Sequence, residues 1–156
     1  MKILIVYYSK TGHCRKVAEI LKEKLSADIE EIKMVNPFKK DKPQYMKLGF
    51  QAWTKVKPPI KPLSVMTTDY DLVILGSPTW NWRPSSPVRT FFSSYPLNKV
   101  ALWLTAGGDG LKAMGRFKRE MESKTEVVST FIARDPKSDT LESQLSKWVE
   151  ELKLKV

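Results

Sequence analysis

Three short stretches carry the residue types that could do chemistry. The first is Ser9-Lys10-Thr11-Gly12-His13-Cys14, which holds the chain's single histidine and single cysteine. Hydroxyl side chains and a glycine where a helix begins leave several backbone N–H groups turned outward, a setting that favours an anion, most often phosphate. The same residues also suit a tight turn capped by Ser9 or Thr11. The stretch is not a Walker A loop, since no glycine-lysine-hydroxyl ending is present. The second is Gly76-Ser77-Pro78-Thr79-Trp80-Asn81-Trp82-Arg83-Pro84. Its two tryptophans either pack as a hydrophobic plug or offer flat faces to a planar ligand. The third, Thr105-Ala106-Gly107-Gly108-Asp109-Gly110, has glycines that let backbone approach a ligand closely, or that only loosen the start of a helix.

Single residues add limits. A thiol at a helix start tempts a nucleophile reading for Cys14. A phosphatase loop of the low-molecular-weight kind would need arginine at position 20, where Ile20 stands, and a receiver-type phosphate switch would need aspartate where Gly76 stands. One His and one Cys make no zinc site, so no metal is expected. His13 fits a capping or solvated role, and Lys10, Arg15 and Lys16 fit a solvated helix surface that lends diffuse positive potential.

The elements that must position these stretches follow from apolar patterning. Ile3 to Tyr8 is a continuous β-branched and aromatic run, as a strand covered on both faces requires. Leu72–Leu75, Val100–Leu104 and Val127–Ile132 read the same way, and Ile29–Val35 is a weaker strand with polar interruptions. Between them lie helical stripes: Val17, Ile20, Leu21, Leu25; Val88, Phe91, Phe92, Tyr95; Leu111, Met114, Phe117, Met121; and Leu141, Leu145, Trp148, Val149, Leu152. Strands alternating with helices predict a parallel sheet with helices on both faces, an α/β three-layer sandwich. Each chemistry-bearing stretch then follows a strand, where ligands of open parallel sheets bind.

The 156 residues suit one domain, 1–156, with 42% hydrophobic and 28% charged residues and no internal pair for a disulfide. The apolar run at the N-terminus is too short for a signal segment or a bilayer span, so a cytoplasmic protein is expected. Residues 36–68 break the alternation as a proline-rich basic insertion between strands two and three, with a helix expected near 43–54. Between Lys33 and Lys61 eight lysines face one acid, Asp41, and supply most of the net charge of +10. Such a face calls for an anionic partner or is simply solvated. Tyr45, Phe50 and Trp53 among the lysines admit single-stranded nucleic acid, but no recognition motif accompanies them and their spacing suits a core, so nucleic acid is disfavoured.

The turn Ile3 to Gly12, the block Gly76-Ser77-Pro78-Thr79-Trp80 running on through Pro87-Val88-Arg89-Thr90-Phe91-Phe92, and Thr105-Ala106-Gly107-Gly108 together resemble the flavodoxin-like family. The resemblance spans essentially the whole chain. It implies a five-stranded parallel sheet of order 2-1-3-4-5 and FMN across the tops of strands one, three and four. It implies that Ser9, Lys10, Thr11, Gly12, His13 and Cys14 wrap the phosphate, and that Pro78, Thr79, Trp80, Asn81 and Trp82 border the ring, with Trp80 or Trp82 stacked on it. Thr105, Ala106, Gly107 and Gly108 would meet the pyrimidine edge. The function implied is electron transfer through a non-covalently bound flavin, with an FMN-dependent NAD(P)H or quinone reductase as the alternative. No second dinucleotide fingerprint is present, so NAD(P)H would visit only transiently. The redox partner is expected to be acidic where it docks, with the 33–61 segment as the docking face. The chain departs from its relatives at Cys14, where threonine is common, at Trp82, where many carry glycine, and in being basic.

Overall fold

The computed structural model describes residues 1–37 and 56–156. Its central sheet contains β1 (Ile3–Tyr7), β2 (Asp28–Glu31), β3 (Leu72–Trp80), β5 (Lys99–Thr105) and β6 (Glu126–Ala133). These five run parallel in the order β2-β1-β3-β5-β6, which is the expected 2-1-3-4-5 order counted along the parallel strands. A sixth strand of two residues, β4 (Arg83–Pro84), pairs antiparallel with the end of β3. The helices are α1 (His13–Leu25), α2 (Ser86–Ser94), α3 (Leu111–Glu122) and α4 (Leu141–Lys153).

Alternation along the buried strands decides which layer each residue joins. Leu4, Val6, Val73, Leu75, Val100 and Leu102 face one side and pack under Phe91 of α2 and Phe117 of α3. Ile5, Ile74, Ala101 and Trp103 face the other, under Val17 and Leu21 of α1 and Leu145 and Trp148 of α4. Burying each such Leu or Val contributes about 1.5–3 kcal/mol, so both faces of the sheet are tightly held beneath the loops above them. Gly76 marks the closest approach inside the sheet. A Cβ there would come within 2.0 Å of the Trp103 indole, so only glycine lets that ring lie across β3.

Two strand boundaries differ from the sequence reading. The second strand ends at Glu31, and Met34 makes only an isolated antiparallel bridge to Ile60, because the returning chain pairs there. Val35 donates to the Pro59 carbonyl and Lys61 to that of Lys33, so the end of the insertion extends the β2 edge. The third strand continues to Trp80, because Gly76, Ser77 and Pro78 pair with Trp103, Leu104 and Thr105, and Thr79 and Trp80 turn back on β4. The helix expected near 43–54 lies outside the described residues.

Candidate functional site

Three loops meet at the carboxyl end of the parallel strands. After β1, the chain passes Ser9 to Thr11 and reverses at Gly12, whose φ of +93° is open to glycine and strained for other residues. Gly12 is the N-cap of α1 and has no side chain with which to cap it. Ser9 substitutes from a distance: its Oγ accepts the amides of Gly12 (3.1 Å) and Arg15 (3.3 Å). The amides of Thr11, His13 and Cys14 meet no acceptor among the described residues and lie at the positive end of the α1 dipole. Arg15 is engaged by Glu31 at 2.5 Å, so the charges it brings to the loop largely cancel.

Cys14 points the other way. It is buried on the same face of α1 as Val17, Ala18 and Leu21, and its Sγ lies 3.3 Å from Thr105 Oγ1. Burial pushes its thiol pKa up to about 12, against a smaller opposing effect of the Thr105 hydrogen bond. Its buried sulfur ties the first loop to the end of β5.

The second loop is the hairpin between β3 and β4. Its two residues, Asn81 and Trp82, have φ of +49° and +55°, the positive values of a primed two-residue turn. Asparagine tolerates that region readily, whereas tryptophan occupies it only at a cost in strain. The turn is anchored by Ser77, whose Oγ accepts the Ser85 amide (2.8 Å), and by Arg116, whose Nη1 donates to the Trp82 carbonyl (3.1 Å). The two tryptophans part company. Trp80 is buried, its ring edge-on to Tyr8 at 5.7 Å between centroids, and plugs the space between the first two loops. Trp82 is 61% exposed with Lys112 Nζ over its ring at 5.7 Å.

In the third loop the Ala106 amide bonds to the Ala133 carbonyl, after which Gly107 and Gly108 are exposed. Gly110 (φ +71°) starts α3, and Asp109 Oδ1 accepts the Leu111 amide at 2.9 Å. Between the second and third loops lies a cleft of about 510 Å³, walled by Thr79, Asn81, Trp82, Ala106, Gly107 and Gly108. Thr79 Oγ1 is buried and meets no partner among the described residues. Ser9, Lys10, Thr11 and Gly12 line a second cavity, of about 710 Å³, that extends toward Lys33 and Lys61.

The structure thus groups most of the residues singled out in the sequence. His13, Cys14, Pro78, Trp80 and Thr105 line neither cavity. Asp109 and Gly110, the end of the third stretch, also line the cleft, as does Ala113, which lies outside all three stretches. Gly110 carried a signal, being the last glycine before an apolar stripe. Arg116 and Lys112 carried none, since their contact with Trp82 spans about thirty residues of chain.

A family model described as flavodoxin matches residues 2–152. The chain belongs to the flavodoxin family. Among solved structures, this flavodoxin-family chain is similar to a flavoprotein from Lactobacillus acidophilus in complex with FMN, at 25% identity, TM-score 0.74, and coverage of 95% of this chain and 98% of that one. It is also similar to the apo-form of the flavoprotein from the same organism (29% identity, TM-score 0.64, 84% and 91% covered). Oxidised flavodoxin 2 from Bacillus cereus shares the fold at 20% identity and TM-score 0.66, with both chains covered in full. Compared with curated proteins by sequence, the chain matches none.

The residues of this flavodoxin-family site fit a phosphorylated flavin. Free amides at the N-terminus of α1 suit the phosphate, and the cleft presents an aromatic face, glycine backbone and an unpaired hydroxyl to a flat, polar-edged ring.

Proposed function

We propose that this chain binds FMN non-covalently and carries electrons through it to a partner protein in the cytoplasm. The observation that carries the reading is the convergence of a helix N-terminus with unpaired amides and a glycine-walled cleft at one end of the sheet. The FMN held by the Lactobacillus acidophilus flavoprotein, which aligns over nearly this whole chain, supports it. When bound, the flavin supplies the one- and two-electron chemistry, while the protein supplies binding, orientation and electrostatics.

The amides of Thr11, His13 and Cys14 hold the phosphate, with the Thr11 hydroxyl beside them. Trp82 stacks on the ring, since Trp80 is already used against Tyr8. The backbone of Ala106, Gly107 and Gly108 meets the polar edge, and Thr79 Oγ1 gains the partner it lacks. The net charge of +10 opposes added negative charge on reduction less than an acidic protein would, and it favours an acidic partner.

The test is direct. Purified protein titrated with FMN should quench the flavin's fluorescence and shift its visible absorbance, saturating at one flavin per chain. Free-flavin spectra at saturating protein would overturn the reading. Stopped-flow mixing of the loaded protein with NADPH then separates the two redox roles: no reduction supports a carrier, and direct reduction a reductase.

A further inference from the structure

Exposed aromatic surface and unneutralised cations coincide at one place among the described residues, the mouth of the cleft. Trp82 and Leu111 are 61% and 62% exposed, and Trp82 is the one large aromatic so exposed among the described residues. Lys112 lies over the Trp82 ring and Arg116 holds its carbonyl. On the opposite rim Arg134 donates to the Asp109 carbonyl at 3.0 Å. Arg83, directly after Trp82, is half-buried, and its Nε meets no acceptor among the described residues.

The carboxylates facing this group are few. Glu120 is taken by Arg89 through two bonds of 3.1 Å, and Asp109 accepts the Leu111 amide. Asp135, beside Arg134, accepts the Lys137 amide. Lys112, Arg116 and Arg83 therefore lie beside the exposed tryptophan and Arg134 beside Asp109 across the cleft, four cations against the two carboxylates of Asp109 and Asp135. Exposed aromatic rings and arginines form the energetic centres of protein contacts, and an unbalanced positive rim steers an acidic surface toward them. Of the lysine-rich segment, Lys33, Lys57 and Lys61 are described, and Lys39, Lys40, Lys42, Lys47 and Lys55 lie outside the described residues.

We infer that the rim of the cleft mouth built from Leu111, Lys112 and Arg116, beside the Trp82 turn, is the docking surface for an acidic protein partner. The surface rests on the proposed flavin reading for its purpose, the hand-over of electrons at the cleft, but not for the binding itself.

The probe is cytochrome b5, a small acidic haem protein, with basic cytochrome c as the contrast. Dissociation constants are measured at low and high ionic strength for FMN-treated and flavin-free protein. Wild type should bind cytochrome b5 and not cytochrome c. Lys112→Glu should weaken binding by about five- to tenfold at low salt, with the loss shrinking as salt screens it. Lys61→Glu, which changes net charge equally, should weaken it by less than about twofold. Equal losses from the two variants, no loss from Lys112→Glu, or a preference for cytochrome c overturns the surface. Because Lys112 is exposed, an unchanged unfolding midpoint verifies that the variant is folded. The expected pattern in protein that takes up no FMN would sink the flavin reading and leave the surface standing; FMN uptake with an inert Lys112→Glu would do the reverse.

Discussion

Replacing Trp82 by glycine and by alanine separates the two roles the turn combines. The backbone at Trp82 has φ +55°, where a side chain with a Cβ costs about 1–2 kcal/mol. Both substitutions remove the ring and with it the Lys112 contact, worth about 0.5 kcal/mol at an exposed site. Both leave the Arg116 bond, which is to main chain. They differ only in that alanine keeps the strained Cβ, while glycine relieves it at an unfolded-state entropy cost of about 0.5–1 kcal/mol. The flavin-free glycine variant should therefore be more stable than the alanine variant by about 0.5–1 kcal/mol, or roughly 1–4 °C in Tm for a domain of this size. In an ordinary helix or strand position the order is the opposite. Flavin affinity should fall alike in both, by about 1–2 kcal/mol for the lost stacking face. Urea unfolding of the flavin-free variants and FMN fluorescence titration measure the two quantities. An alanine variant at least as stable as the glycine variant refutes the strain argument, and unchanged FMN affinity refutes Trp82 as the stacking residue.

Three further outcomes follow from the interior. Gly76→Ala sets a Cβ against the fully buried Trp103 ring and should destabilise by about 3 kcal/mol, read from the urea midpoint; a neutral result would mean the indole can move aside. Glu120→Ala strips the carboxylate from Arg89, which is 2% exposed, and should cost about 3 kcal/mol by the same measurement, whereas Lys118→Ala, whose partner Glu122 is exposed, should cost under about 1 kcal/mol. Burial raises the pKa of Cys14 and of Tyr8, each to about 12, above their unfolded values of 9.0 and 10.0. The folded chain then holds protons that the unfolded chain releases, so this contribution is intact below pH 9 and is lost progressively between about pH 9 and 12. Cys14→Ala should flatten the fall in stability measured by denaturation across that range; an unchanged slope would show that the thiol ionises in the folded state.

Local periodicity wrote most of the architecture into the chain. Apolar runs at Ile3–Tyr8, Leu72–Leu75 and Val100–Leu104 became buried parallel strands, and the four stripes became the four described α-helices. The burial of Cys14 was legible too, since 14, 17, 18 and 21 fall on one helical face, although its nearness to Gly12 drew attention to phosphate instead. The ends of elements were less legible. Nothing in Gly76-Ser77-Pro78-Thr79-Trp80 distinguishes strand from loop until β5 and β4 are there to pair with it.

What the sequence by itself determined was the layering and the three loops at which a ligand would gather, because each depends on residues close together in the chain; the strand order came from the family resemblance. Only the tertiary structure decided which tryptophan faces the cleft, that Cys14 bonds Thr105 ninety-one residues away, and that Lys112, Arg116 and Arg134 ring the cleft mouth. Those contacts join separate crossovers of the sheet, so their geometry exists only once the strands have paired and the helices have packed.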